Sequence, residues 1–94
     1  MSQPTYKHTV GNTRRFVVDY RDWMNRGTTM TAFTAVVSAG AVATVSGAAI
    51  QGDDTGVFFV AGGLLDEEFT VTLTLTTSYG EIKIDEVPFV VVSP

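Results

Sequence analysis

The run Phe69-Thr70-Val71-Thr72-Leu73-Thr74-Leu75-Thr76-Thr77 restricts the fold of this chain more than any other stretch. Apolar and hydroxyl side chains alternate through Thr76, the period of a strand with one face buried; a helix would scatter the same residues around its axis. Threonine is a poor helix former and a good strand former, so propensity agrees with pattern. Ser78-Tyr79-Gly80 then reads as a turn, and apolar residues resume at Ile82, Ile84, Val87, Phe89 and Val91. The expectation is a β-hairpin closing a small all-β domain.

Shorter segments of the same kind precede it. Lys7-His8-Thr9-Val10 is a candidate first strand, followed by a Gly11-Asn12-Thr13 turn and a strand from Arg14 to Asp19 with Phe16 and Val18 on one face. Further strands are expected near 29–37, 41–46, 56–61, 69–77 and 81–92. Between residues 20 and 26 alternation fails; Asp19 is placed to cap a single helical turn and Gly27 to end it in a left-handed conformation. Gly62-Gly63 and Gly80 mark tight turns. Pro88 donates no ladder bond, which calls for an edge, a bulge or a change of sheet at that point. About seven short strands in 94 residues predict an immunoglobulin- or fibronectin-like sandwich of antiparallel strands over 7–94, with residues 1–6 as a flexible arm. Cysteine is absent, so the inter-sheet disulfide of antibody domains is excluded.

The segment from Met30 to Ile50 carries no charge and is long enough to cross a bilayer. It is diluted by Thr, Ser, Gly and Ala, which weakens insertion, and Ser38-Ala39-Gly40 and Ser46-Gly47 divide it into pieces of strand length. Strands are the better reading, and no membrane partner is expected.

Charge is unevenly distributed. Residues 1–50 hold five basic side chains against two acidic ones, a net +3, while residues 51–94 hold one against eight, a net −7. The overall −4 disfavours nucleic acid as a partner. Folding that intermixes the two halves is the simpler expectation; the sharper one is a molecule that docks by complementary ends.

Little in the chain suggests catalysis or a cofactor. His8 is the sole histidine and reads as a packing or surface residue. Gly62-Gly63 lacks the Lys and Ser/Thr of a phosphate loop. Asp53-Asp54 and Asp66-Glu67-Glu68 fall in two loops that would have to meet at one end of the sandwich to hold calcium, and neither has the spacing of a calcium loop. Trp23 is expected to plug an open end of the sandwich, with an aromatic anchor in a partner's pocket as the alternative. Tyr6, on the arm, and Tyr20 and Tyr79 complete the candidate partner-binding residues.

Asp19-Tyr20-Arg21-Asp22-Trp23-Met24, then Gly27 and an alternating strand, then Gly62-Gly63, then Thr76-Thr77-Ser78-Tyr79-Gly80 before a valine-rich strand, resembles the phage fiber–tail adaptor family of small tailed-bacteriophage virion proteins. The likeness runs from about residue 14 to residue 92, with Asp19, Trp23, Gly62, Gly63 and Gly80 as scaffold positions. It implies a non-enzymatic structural component made in the host cytoplasm and built into the virion. Its partners would be tail, fiber or capsid subunits, and its arrangement homo-oligomeric or ring-like. A capsid decoration protein and a carbohydrate-binding module of a host-recognition fiber are the alternatives.

Overall fold

The computed structural model describes residues 5–94 and consists of seven strands. They are β1 (Tyr6–Thr9), β2 (Thr13–Asp19), β3 (Met30–Val37), β4 (Thr44–Gln51), β5 (Thr55–Ala61), β6 (Glu68–Thr77) and β7 (Ile82–Val92). One sheet has the order β1-β7-β6-β3 and the other β2-β5-β4. Hairpins β4–β5 and β6–β7 stay within a sheet, whereas the chain changes sheet between β1 and β2, β2 and β3, β3 and β4, and β5 and β6. This is the immunoglobulin-like distribution, with the first strand carried on the sheet of the last.

Inward-facing residues of both sheets form one core. The alternation of β6 is realised as expected: Phe69, Val71, Leu73 and Leu75 are buried, and Thr70, Thr72, Thr74 and Thr76 lie on the outer face. Phe58 and Val60 of β5 and Val87, Phe89 and Val91 of β7 meet them. Each such side chain contributes roughly 1.5–3 kcal/mol by leaving water. Phe89 is the hub: Phe69 stacks on it at 5.2 Å and Phe16 meets it edge-on at 5.1 Å. Phe33 crosses from β3 onto the backbone of Gly56 in β5, where a Cβ atom would lie 2.7 Å from the ring.

Several expectations are corrected. Strand pairing begins at Tyr6, which therefore belongs to β1; residues 1–4 of the expected arm lie outside the described residues. β1 runs parallel to β7, not antiparallel. Residues 20–26 hold the single expected turn without continuing into a helix: the N–H groups of Trp23 and Met24 both donate to the Tyr20 carbonyl, at 3.1 and 3.0 Å. The fourth strand starts at Thr44 and runs to Gln51, not over 41–46. Gly47 does not turn the chain; at φ +65° it forms a bulge that shifts the β4–β5 register by one residue, and the Phe59 ring packs over it.

Met30 to Ile50 thus forms one strand of each sheet and the corner between them. Among the described residues no helix is long and apolar enough to cross a membrane. Asp53-Asp54 and Asp66-Glu67-Glu68 do not meet. The first pair accepts bonds from Tyr20 and Met30 at one end of the sandwich; the second group packs near Val91 and Val42 at the other. Folding brings the charged halves together at Arg21, which pairs with Asp19 of its own half at 2.7 Å and lies 4.0 Å from Asp54 of the other. Pro88 sits where the sequence allows it. Val91 donates to Glu67 and accepts from Asp66, so odd-numbered residues of β7 bond to β6 and the ring nitrogen of Pro88 faces the opposite side, just before β1 begins at Tyr6.

Candidate partner-binding surface

The end of the sandwich formed by the β2–β3 connection and the β6–β7 turn is assembled from short-range bonds. Asp19 ends β2 and accepts from the Arg21 backbone at 2.9 Å and from its guanidinium at 2.7–3.1 Å. The Arg21 side-chain bond, followed by the backbone one, holds the Asp19 carboxyl below its ordinary value. This brake on the chain directs Tyr20 inward. Its N–H donates to the Asp54 carbonyl at 2.9 Å and its ring meets Phe33 at 6.1 Å. Tyr20, at 3% exposure, is the residue that plugs this end. Its hydroxyl has no hydrogen-bond partner among the described residues. Burial, and secondarily Asp85, push the phenol well above its ordinary value.

With Tyr20 as the plug, Trp23 is left on the surface. It is 38% exposed, with the Lys83 ammonium 5.7 Å from its ring centroid. Lys83 in turn pairs with Asp85 at 3.1 Å, and both are half-buried beneath the turn. Tyr79 stands at the tip of the β6–β7 turn, 74% exposed. That turn is closed by Gly80 donating to Thr77 at 3.0 Å and is tied to the β2–β3 connection by Ser78 donating to Thr29 at 2.8 Å. Gly27, Gly62, Gly63 and Gly80 all have positive φ, as turn positions require.

Of the four aromatic candidates, the structure brings two to one accessible end and withdraws two. Tyr20 is core. Tyr6 is partly buried in β1, stacked on Phe16 at 5.9 Å and edge-on to Phe89 at 5.4 Å, so it completes the aromatic core rather than an arm. Trp23 and Tyr79 remain. Beside them lie Ile82 and Ile84, expected in one alternating series with Val87, Phe89 and Val91 but 62% and 63% exposed on the outer face of β7. The signal was present: the step from Ile84 to Val87 is odd, so the isoleucines fall on the face opposite Val87, Phe89 and Val91. Across the sheet Ile84 pairs with Thr74 and Thr74 with Thr34, while Val36, 61% exposed, pairs with Thr72. Toward this end the outer face is therefore apolar and hydroxylic; charge enters it at Glu86 and, further along, at Glu68 and Lys7.

His8 is fully buried in β1 opposite Val91, away from this end, with both ring nitrogens unpartnered among the described residues. Among those residues no three His, Cys, Asp or Glu side chains gather in a metal-holding group.

A small immunoglobulin-like sandwich with exposed aromatic and aliphatic side chains at one end defines the class: a compact β-module. The sequence match is more specific. Residues 8–92 match the family of podophage GP4 fiber-tail adaptor protein gp77, and the chain belongs to that family, a structural component of the phage virion. No curated protein matches the chain. Among solved structures, the crystal structure of a 2,6-sialyltransferase from Vibrionaceae Photobacterium sp. JT-ISH-224, in ternary complex with CMP and lactose, is similar with a TM-score of 0.53 at 17% identity. The match covers 100% of this chain and 18% of that one, and at this identity it concerns the fold alone.

Proposed function

We propose that the protein joins fiber to tail without catalysis, in several copies per particle, and that the Trp23–Tyr79 end is one of its docking surfaces. The observation that carries the reading is the exposure of Trp23, Tyr79, Ile82 and Ile84 together at one end of a rigid sandwich. Aromatic side chains on short, bonded turns lose little entropy on docking and fill pockets well. Backbone pairing is the lesser contribution. The part of β7 before Phe89 is uncovered by β1, but Pro88 and the inward Lys83–Asp85 pair are devices that discourage strand addition. Each contact is modest, and repetition around a symmetric tail raises the effective concentration until the assembly is tight.

Locating the chain in an electron-microscopy map of the particle tests the reading. Density at the junction of fiber and tail is expected; density confined to the head surface would assign a decoration role instead. The double substitution Trp23→Ala with Tyr79→Ala should leave the fold intact by circular dichroism and weaken attachment of one partner by at least tenfold, or about 1.4 kcal/mol.

A further inference from the structure

A joining protein needs a second surface, and the opposite end carries one. There the β5–β6 connection turns through Gly62 and Gly63 at φ +72° and +98°. At Gly63 a Cβ would lie 2.9 Å from Val91 and 3.3 Å from the Glu67 carboxylate, so glycine is required twice over, by conformation and by space. The connection is fastened to β7 by Asp66 donating to the Val91 carbonyl and Val91 donating to the Glu67 carbonyl, both at 2.9 Å. Glu67 then clamps two loops with one side chain. Its Oε1 accepts from the Leu64 N–H at 2.9 Å and its Oε2 from the Val42 N–H at 2.7 Å.

What the clamp holds in place is apolar. Leu64 is 61% exposed, Leu65 53% and Val42 53%. Loops held this firmly do not turn three large apolar side chains outward by slackness, and contiguous exposed apolar surface marks a contact site. Within segments 38–43 and 62–68 the charged residues, Asp66, Glu67 and Glu68, are all acidic, while the bases Arg14 and Arg15 at this end stand back on β2, opposite Val60 and Phe59. Glu67 is engaged by the clamp, leaving Asp66 and Glu68 facing solvent. β6 separates this corner from the Trp23–Tyr79 end by about 33 Å, ten residues at the strand rise, and the molecule is 42 Å long.

We infer that Val42, Leu64 and Leu65, rimmed by Asp66 and Glu68, form a second docking surface for a partner protein whose apolar contact is flanked by lysine or arginine. The inference rests on the adaptor reading. A second copy related by two-fold symmetry is disfavoured as the occupant, because it would set acidic rim against acidic rim.

The test uses phage lacking this chain, complemented with wild-type protein or variants, with chain and fiber content of purified particles measured by quantitative mass spectrometry. Wild type restores both; if fibers attach equally well without the chain, the adaptor reading itself fails. Leu64→Lys with Leu65→Lys, whose side chains are exposed, should melt as wild type. This variant and Trp23→Ala with Tyr79→Ala should fail differently: one leaves the chain off the particle, the other leaves it bound without fibers. Asp66→Asn with Glu68→Lys, the asparagine tolerating the left-handed backbone at φ +66°, should reproduce the leucine defect with at least a tenfold loss. Particles carrying the leucine variant with full chain and fiber content overturn the inference, as do identical defects from both ends. So does self-association of isolated wild type, seen by sedimentation and abolished in the leucine variant, since the occupant would then be a second copy.

Discussion

At Gly56 a hydrogen atom is the whole side chain because Phe33 occupies the space a methyl group would take. The Phe33 ring atoms lie 2.7 Å from the ideal Cβ position, and the ring is itself buried at 6% exposure against Tyr20. Gly56 has ordinary strand backbone, so alanine would gain about 0.4–1 kcal/mol from the unfolded chain. Overpacking costs roughly 1–3 kcal/mol and wins. Gly56→Ala should therefore lower the denaturant midpoint with little change in m-value. Tyr20 gives the opposite sign. Its hydroxyl is buried without a partner among the described residues, so Tyr20→Phe should be neutral or stabilising by about 1 kcal/mol at neutral pH. Because burial and then Asp85 raise the phenol above its ordinary 10.0, stability is fully present below that value and lost as pH rises through the folded one. Melting curves up to about pH 11 should show a smaller alkaline loss for the phenylalanine variant than for wild type.

At the scale of elements, the two connections that leave the sheets behave as parts of the scaffold. The Glu67 clamp joins the β3–β4 corner to the β5–β6 turn, and the Leu64 and Val42 N–H bonds, Leu64 first, lower its carboxyl below the ordinary 4.5. A depressed carboxyl contributes stability above its unfolded value, and that contribution disappears as pH falls through the folded one. Glu67→Gln removes the titration while keeping one acceptor oxygen. The melting temperature of wild type should thus exceed that of the variant at neutral pH, and the difference should begin to narrow at about pH 4.5 and close as pH falls through the lower folded value. β7 shows how an element serves two purposes by parity. Val87, Phe89 and Val91 point into the core, and Ile82 and Ile84, an odd step away, supply the outer contact face.

Across the whole molecule, a single core links both sheets, with Phe16 and Phe58 of one meeting Phe89 of the other. Denaturation followed by tryptophan fluorescence and by far-ultraviolet circular dichroism should give coincident transitions, since no part of the core can open alone. Separated curves would mean that the turns around Trp23 melt independently.

Local pattern sufficed wherever the fold depends on alternation. The Thr-rich hairpin, the strand ending at Asp19, the all-β class and the left-handed turns at Gly27, Gly62, Gly63 and Gly80 were legible because side-chain period and backbone stereochemistry are local properties. Trp23 and Tyr79 were identified as candidates by residue type alone. The amino-acid order did not reveal that Tyr20 rather than Trp23 fills the open end, since burial is decided by which residue faces Phe33 across the sandwich. Nor did it reveal that Gly47 bulges instead of turning, that β1 lies parallel to β7, or that the two acidic loops sit at opposite ends. Those are long-range pairings, fixed by which strands lie side by side, and only the assembled sheets determine them.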